Sequence, residues 1–185
     1  MGIIGKDFKY KIIDNFLNKE EINLLKDFCI IRHRLNTTVF DSIIPSLDTA
    51  AYGEPIMDSL LINKRNILEK ESGLELLPTY SYWRMYTFGA DMFKHKDRDQ
   101  CEISVTVMID SDGATEWPIY LDGKPFALKP GQAALYLGKE IEHWRETFEG
   151  DWQAQTFLHY VDRNGKYSKN FKDGRLFYGI MKEVR

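Results

Sequence analysis

The chain has 185 residues, of which 43% are hydrophobic and 29% charged, a balance typical of a globular protein rather than of a disordered or membrane-embedded one. Its formal net charge is −3, so no strong positive field favours nucleic acid as a partner. The longest apolar run, residues 133–137, is far shorter than the roughly 20 residues that cross a bilayer, and no secretory leader is recognised, so no membrane partner is expected.

Two helices are predicted in the first half of the chain. Asn18, followed three residues later by Glu21, forms a capping-box pattern at the start of the first helix. The apolar residues that follow at helical spacing are Ile22, Leu25, Phe28 and Cys29. A second helix is predicted from Pro55, a favoured first-turn residue, to about Gly73, a favoured C-terminal stop. We expect these helices, over about residues 18–73, to buttress a sheet.

From Tyr80 onward the pattern changes to short strands, which predicts a β-sandwich or barrel over about residues 80–180. Apolar and polar residues alternate from Ile103 to Ile109, the period of a strand. Asp122-Gly123 predicts a tight hairpin between two apolar triplets, and Leu176-Phe177-Tyr178 predicts a last strand or a docking segment. The remaining predicted strands are residues 119–121, 126–128, 133–137, 141–148 and 153–161.

The chain has two cysteines, Cys29 and Cys101, which are too few for a disulfide framework. They indicate a reducing compartment, and we expect a cytoplasmic protein. Because no low-complexity tract, internal repeat or linker-like stretch divides the sequence, a single domain over residues 1–185 is expected.

One short segment carries a candidate metal site. In an extended strand, residues i and i+2 project to the same side, so His95 and Asp97 would present an imidazole and a carboxylate together. Alone, such a pair is a weak signal, because chance matches are common. Two histidines and one carboxylate bind Fe(II) in non-haem oxygenases and leave metal positions open. The second histidine must come from another strand: His143, which follows a turn-rich region, is favoured over His159, whereas His33 precedes the strands and is interpreted as a helix-end or loop residue.

The sequence around this pair resembles a known family. The segment Tyr82-Trp83-Arg84-Met85-Tyr86-Thr87-Phe88-Gly89, followed by His95-Lys96-Asp97-Arg98, is similar to the Arg-x-Tyr-x-x-Gly and His-x-Asp block of the prolyl 4-hydroxylase-like Fe(II)/2-oxoglutarate dioxygenases. The resemblance extends over about residues 8–162, from the first strand and helix through residues 128–132 to the distal histidine.

The resemblance implies a mainly β fold with flanking helices and a double-stranded β-helix (jelly-roll, cupin-like) core. It also implies Fe(II) held by His95, Asp97 and His143, with 2-oxoglutarate and O₂ as cosubstrates. The implied reaction is hydroxylation of a peptide or protein residue, prolyl by family default, although a small-molecule substrate is also compatible. Relatives that halogenate lack the carboxylate ligand, so Asp97 favours hydroxylation.

The chain departs from the family pattern at the cosubstrate site. In that family an Arg or Lys nine or ten residues after the distal histidine holds the distal carboxylate of 2-oxoglutarate, and here Trp152 and Gln153 occupy that window. A carboxylate buried without a charged partner is costly, so a cation must come from elsewhere in the chain.

Two arginines are candidates for this missing cation. Arg145 is the first, because it lies two residues beyond His143 and should point into the same pocket. Arg84 is the second, because it shares a strand face with Tyr86, whose hydroxyl resembles the family's cosubstrate-contacting tyrosine. Neutral hydrogen bonds to the cosubstrate are expected from two glutamines, Gln153 and Gln155.

Two other functions remain compatible with the sequence. A cupin-like metalloenzyme would use a jelly-roll without 2-oxoglutarate, and a non-catalytic jelly-roll binding module would take up no stoichiometric Fe(II). A nucleic-acid demethylase of the same superfamily is disfavoured by the acidic balance and by the lack of a basic groove signal.

Overall fold

The computed structural model describes residues 8–35 and 49–180, which form two antiparallel sheets with helices packed on one of them. The strands in chain order are β1 (Tyr10–Ile13), β2 (Thr49–Tyr52), β3 (Leu76–Thr87), β4 (Met92–His95), β5 (Ile103–Ser111), β6 (Ile119–Leu121), β7 (Lys124–Phe126), β8 (Ala133–Tyr136), β9 (His143–Arg145) and β10 (Trp152–Asp162). The larger sheet has the order β1-β8-β5-β10-β3-β2 and the smaller sheet the order β4-β9-β6-β7.

The inner faces of the two sheets pack against each other. One cluster of buried side chains joins Tyr86 of the larger sheet to Met92 of the smaller one. A second cluster joins Ala134 and Tyr136 of the larger sheet to Ile119 and Leu121 of the smaller one. The mainly β architecture with flanking helices therefore agrees with the sequence pattern.

The first helix, α1 (Lys19–Arg34), begins as predicted. The Asn18 side chain accepts a hydrogen bond from the Glu21 N–H at 2.8 Å, and the Glu21 carboxylate accepts one from the Asn18 N–H at 2.9 Å. This reciprocal pair satisfies two N–H groups that would otherwise lack partners at the helix start.

The prediction of one continuous second helix is wrong. The segment forms two helices, α2 (Pro55–Asn63) and α3 (Arg65–Ser72), separated at Lys64, whose ψ of −6° departs from the helical value. The Lys64 ammonium lies 2.8 Å from the Glu21 carboxylate of α1. Neither proline nor glycine marks this break, so the local pattern carried no sign of it. Gly73 ends α3 in the left-handed conformation, as predicted.

The predicted strands lie at the right places in the sequence, but several of them begin or end at other residues than predicted. Asp122 and Gly123 both have positive φ, as a two-residue hairpin turn requires. This turn pairs Leu121 directly with Lys124, so the second hairpin strand is β7 rather than residues 126–128. The predicted strand 141–148 is confined to β9, and the strand expected from Tyr80 already begins at Leu76.

The segment 163–180 docks on the larger sheet and forms no strand. Short 3-10 turns within Ser168–Gly174 are interrupted by non-helical backbone at residues 171–173. Arg175 follows, and its guanidinium forms a buried ion pair with Asp58 at 2.6 Å. The Tyr178 hydroxyl donates to the Pro78 carbonyl at 3.1 Å. Of the two alternatives for this segment, docking therefore agrees with the structure.

The main hydrophobic core lies between the helices and the outer face of the larger sheet. Leu25 and Cys29 of α1 and Leu61 of α2 pack there against Val105 and Val107 of β5. Within the described ranges, no helix has the length and apolarity needed to span a bilayer. Both cysteines are buried and free, in line with the expectation of no disulfide.

Candidate metal centre

Pairing of two short strands brings the candidate histidines together. In the antiparallel pair of β4 and β9, His95 and His143 are directly opposite, and their ring centroids are 4.2 Å apart. Asp97 lies just beyond the end of β4, where its N–H donates to the Gly138 carbonyl at 2.9 Å. These three side chains form a group whose potential ligand atoms all lie within 4.8 Å of one another.

The hydrogen bonds of both imidazoles hold the Nδ1 side of each ring to the main chain and place Nε2 beside the Asp97 carboxylate. His95 Nδ1 lies 2.7 Å from the Phe93 carbonyl and His143 Nδ1 lies 3.0 Å from the Ile141 carbonyl. A carbonyl only accepts hydrogen bonds, so both Nδ1 atoms carry a proton, and when the rings are neutral the lone pair of each lies on Nε2. This is the tautomer in which an imidazole binds a metal through Nε2.

The lone pairs converge on one carboxylate oxygen. Asp97 Oδ1 lies 3.7 Å from His95 Nε2 and 3.6 Å from His143 Nε2. Metal–nitrogen bonds of about 2.1 Å put ligand atoms at right angles about 3 Å apart, so a shift of less than about 1 Å would bring these atoms onto one ion. The donor set of two neutral nitrogens and one carboxylate oxygen therefore fits a divalent ion such as Fe(II).

The Asp97 carboxylate is buried and held in its charged form. Burial acts to raise its pKa, but in the metal-free protein the hydrogen bond and positive charge that His143 supplies when its ring is protonated, with smaller contributions from His159 and Ser104, lower the pKa of Asp97 to about 2. The Ser104 hydroxyl donates to Asp97 Oδ2 at 2.6 Å, which leaves Oδ1 facing the two imidazoles.

The alternative histidine, His159, lies near the same carboxylate but is connected to it differently. Its Nδ1 is 3.0 Å from Ser104 Oγ, and Asp97, Cys101 and His159 form a second group of potential ligands. Burial lowers the pKa of His159 to about 4, so the ring is neutral at pH 7. His33, by contrast, lies at the end of α1, where its Nδ1 is 2.6 Å from Thr49 Oγ1.

A cavity of about 110 Å³ opens beside the candidate ligands. Its wall is aromatic for the most part and includes one buried cation. The lining residues are Tyr82, Arg84, Tyr86, Met92, His95, Asp97, Tyr136, His143, Phe157 and His159.

Arg145, the first candidate for the missing cation, is buried between the sheets next to this cavity. Its Nη1 donates to the Trp117 carbonyl at 2.5 Å and its Nη2 donates to Gln155 Oε1 at 3.0 Å. Tyr86 and Tyr136, both in the cavity wall, are its electrostatic neighbours, and burial lowers the pKa of Arg145 to about 10. Arg145 therefore stays charged at neutral pH while its hydrogen-bond acceptors in the described part of the chain are neutral.

Two hydrogen-bond donors beside Arg145 have no acceptor. Within residues 8–35 and 49–180, the buried atoms Arg145 Nε and Gln155 Nε2 make no hydrogen bond. A buried donor without an acceptor costs about 1–3 kcal/mol, so such groups usually mark a place where something else binds. A ligand atom that accepted hydrogen bonds from both Arg145 Nε and Gln155 Nε2 would lie beside the positive charge of the Arg145 guanidinium.

Arg84, the second candidate, lies in the cavity wall. It is fully buried on β3, directly opposite Gln155 of β10, and its guanidinium is 5.4 Å from the centre of the Tyr86 ring. Arg84 and Arg145 therefore approach Gln155 from opposite sheets. Gln153, the other glutamine, pairs with Tyr86 along the strands but lines a separate cavity of about 250 Å³.

The structure adds two features of the site that the sequence analysis did not identify: a pair of buried hydroxyl residues, Ser104 and Thr106, and a glycine, Gly138. Ser104 and Thr106 occupy the polar positions of the alternating strand β5, yet both are fully buried and face the interior between the sheets. Gly138 is the other, because a Cβ there would collide with Asp97 Oδ2 and approach Ser104 Oγ to 2.5 Å. The only sequence signal for Ser104 was its place in the alternation, and Gly138 gave none.

No family model and no curated protein matches the sequence. Among solved structures, a prolyl-4-hydroxylase from Pseudomonas putida is similar with a TM-score of 0.66 at 17% identity, covering 85% of this chain and 95% of that chain. The non-heme alpha ketoglutarate dependent epimerase SnoN from nogalamycin biosynthesis has a TM-score of 0.73 at 10% identity, covering 98% of this chain and 90% of that one. A prolyl hydroxylase from Trichoplax adhaerens, in complex with a hypoxia inducible factor oxygen degradation domain peptide fragment, has a TM-score of 0.67 at 12% identity, covering 91% and 88%.

At these identities the similarity shows the fold. The chain has the double-stranded β-helix core of the prolyl-hydroxylase-like 2-oxoglutarate/Fe(II) oxygenases, with its helices on the larger sheet. The fold predicted from the sequence is thereby confirmed.

Proposed function

We propose that this protein is a dioxygenase that depends on Fe(II) and 2-oxoglutarate and hydroxylates its substrate, with His95, Asp97 and His143 as the metal ligands. The observation that carries this proposal is the convergence of two lone-pair Nε2 atoms on Asp97 Oδ1, at 3.7 and 3.6 Å, inside a fold shared with oxygenases of this class. The bound ion and cosubstrate supply the oxidation chemistry, in which 2-oxoglutarate and O₂ give succinate and CO₂ and the substrate gains a hydroxyl group.

The chain's own contribution is to orient the ligands and to keep water away from them. The carbonyls of Phe93 and Ile141 fix the two ring orientations, and Ser104 fixes the carboxylate. His95, Asp97 and His143 would hold the ion from one side, and the adjoining cavity would leave room beside it for a chelating cosubstrate and O₂. Aromatic side chains, among them Tyr82 and Phe157, close the cavity wall around those positions.

The cosubstrate's distal carboxylate is assigned to the cationic end of this cavity. Arg84 lines the cavity and is paired with Gln155 across the strands, and Arg145 donates to Gln155 from the other sheet. Within the described residues, the two donors that lack acceptors, Arg145 Nε and Gln155 Nε2, suit a carboxylate. Tyr86 of the cavity wall is near both arginines, with its ring centre 5.4 Å from the Arg84 guanidinium. Arg145 thus replaces the cation that related sequences carry after the distal histidine, with Arg84 as the second positive charge. Gln153, which lies directly opposite Tyr86 on the paired strand, is the second candidate for a neutral hydrogen bond to the cosubstrate.

For the substrate we propose a prolyl or other residue of a peptide or protein. A peptide-bound prolyl hydroxylase and a bacterial prolyl-4-hydroxylase are among the similar structures, which supports this choice. SnoN, named as an epimerase, has the same fold, so a small molecule is the second candidate.

The proposal is tested first by anaerobic addition of 2-oxoglutarate to the Fe(II)-loaded protein. A metal-to-ligand charge-transfer band in the visible spectrum is the expected result, and its loss in His143→Ala is the control. Stoichiometric Fe(II) uptake without the band would favour a cupin-like metalloenzyme that does not use 2-oxoglutarate. Failure to take up Fe(II) would favour a non-catalytic binding module.

The substrate class is tested by turnover. Succinate formation from 2-oxoglutarate is measured with proline-containing peptides and, in parallel, with free amino acids. Stimulation by peptides and not by free amino acids is the result we expect. The reverse pattern would replace the peptide by a small molecule while leaving the metal chemistry in place.

A further inference from the structure

We propose that His159 is a positioning residue that acts through Ser104 to hold the Asp97 carboxylate in the one orientation that presents a single oxygen to the metal. This inference rests on the proposed function, since it concerns how the chain prepares its own metal ligand. It gives His159 a role other than that of a ligand.

The direction of each hydrogen bond follows from the chemistry of the groups. A carboxylate that binds a metal carries no proton, so Asp97 Oδ2 can only accept, and the Ser104 hydroxyl must donate its single proton to it across 2.6 Å. Ser104 Oγ is then an acceptor toward His159 Nδ1, 3.0 Å away. The chain of donors therefore runs from His159 Nδ1–H to Ser104 and from Ser104 to Asp97.

The packing around His159 fixes the orientation of its ring, so that Nδ1 stays directed at Ser104. It lies directly opposite Ser104 in the pairing of β10 with β5, and its ring is 4.5 Å from that of Tyr80. Tyr80 is in turn stacked on Tyr52 at 4.7 Å, and its hydroxyl is 3.0 Å from Cys101 Sγ. His159 is only 7% exposed, so its ring has little room to turn away.

The consequence for the metal is that one carboxylate oxygen is already used. With Oδ2 bound to Ser104, Asp97 offers Oδ1 alone to the ion, whereas a carboxylate free to rotate can bind with both oxygens and occupy an additional metal position. Gly138 belongs to the same arrangement, because a Cβ at that position would overlap the space of Asp97 Oδ2 and Ser104 Oγ. His159, Ser104 and Gly138 thus keep open a position that the cosubstrate or O₂ needs.

The test compares metal binding in four variants with that of the wild-type chain. Ser104→Ala and His159→Leu break the chain of hydrogen bonds, whereas His159→Asn keeps a side-chain N–H at a similar reach from the backbone. Ser81→Ala is the matched control, because it removes another buried hydrogen bond from a serine hydroxyl to an aspartate, Ser81 Oγ to Asp58 Oδ1 at 2.7 Å, away from the candidate ligands. The probes are Mn(II), for anaerobic titration calorimetry, and Co(II), whose visible spectrum reports the number and geometry of its ligands.

We expect Ser104→Ala and His159→Leu to weaken Mn(II) binding by about 10- to 100-fold, the usual effect of removing a partner that orients a ligand. Their Co(II) spectra should change, whereas His159→Asn should stay within about threefold of wild type in affinity and keep the wild-type spectrum. Ser81→Ala should lower the unfolding temperature without changing Mn(II) affinity.

Three results would overturn the inference while leaving the proposed function intact. They are unchanged Mn(II) affinity in Ser104→Ala, an equal loss in His159→Asn and His159→Leu, or an equal loss in Ser81→Ala. Absence of metal binding by the wild-type chain is a separate outcome, which would remove both the proposed function and this inference.

Discussion

His95 and His143 lie directly opposite each other on two paired strands, with ring centroids 4.2 Å apart, and each directs its Nδ1 at the carbonyl of the residue two positions earlier. The same local arrangement is thus used twice, once on β4 and once on β9. Because main-chain carbonyls orient both rings, their Nε2 atoms lie 3.7 and 3.6 Å from Asp97 Oδ1 without an ion, so that metal binding would need little rearrangement.

Removing the candidate carboxylate ligand should abolish catalysis without unfolding the protein. We expect Asp97→Ala to lose substrate-dependent succinate formation, because two imidazoles alone hold Fe(II) weakly, while the circular dichroism spectrum stays that of a folded chain. Asp27→Ala, which removes an exposed carboxylate from α1, is the control. Near-full turnover by Asp97→Ala would eliminate the proposed set of ligands.

Loss of the buried cation should affect the cosubstrate and spare the metal. A charge-assisted hydrogen bond contributes about 1.5–3 kcal/mol, so we expect Arg145→Gln to raise the KM for 2-oxoglutarate by roughly 10- to 100-fold with unchanged Fe(II) affinity. Arg163→Gln, which removes an exposed arginine paired with Glu75, should leave the KM as it is. A wild-type KM in Arg145→Gln together with a raised KM in Arg84→Gln would transfer the role to Arg84.

A single methyl group at position 138 should disturb the metal centre. The added Cβ of Gly138→Ala would meet Asp97 Oδ2 and Ser104 Oγ, and overpacking of this kind costs about 1–3 kcal/mol. We expect lower thermal stability and weaker Mn(II) binding, measured by scanning calorimetry and by titration. In Gly165→Ala the nearest atom to the new Cβ is Asp162 Cβ at 3.0 Å, so metal binding there should stay normal. Equal Mn(II) affinity in the two variants would argue against the close approach at Gly138.

The free energy of unfolding of the metal-free protein should decrease as the pH is lowered through a range that is set by His159. Burial depresses the folded-state pKa of His159 to about 4 from an ordinary value of 6.5, so the unfolded chain binds more protons between these pH values. The stabilisation is therefore fully present above about pH 6.5 and is lost as the pH falls toward 4, a change on the order of 3 kcal/mol.

Denaturant unfolding at a series of pH values measures this dependence, and His159→Asn should flatten the curve between pH 6.5 and 4. Asp97 titrates lower, because its folded-state pKa is about 2, and its contribution is lost only below about pH 4. The two windows are separate, so a wild-type slope in His159→Asn would exclude His159 as the group responsible.

Features with local physical causes were readable from the sequence. The capping pair of Asn18 and Glu21 and the turn at Asp122-Gly123 both appear in the structure where the pattern put them. Each depends on residues within three positions of one another, so the chain specifies it without reference to the fold. The break at Lys64, where an ammonium reaches a carboxylate on another helix, had no such local cause.

Strand β5 shows that the hydrophobic pattern of a strand does not by itself predict whether its polar face is buried. Its alternating pattern predicted a strand, and Ser104 and Thr106 on the polar face are as deeply buried as the valines on the other. Periodicity reports which residues share a face, but only packing of the second sheet decides whether the polar face meets water.

The sequence by itself determined the classes of secondary structure and the closeness of His95 to Asp97, because these follow from neighbours along the chain. Only the tertiary structure decided that His143 lies opposite His95, that His159 reaches Asp97 through Ser104, and that Gln155 is paired with Arg84 across the strands while it accepts a hydrogen bond from Arg145. Those relationships depend on the register between strands far apart in sequence, and register is set by the packing of whole sheets rather than by any short run of residues.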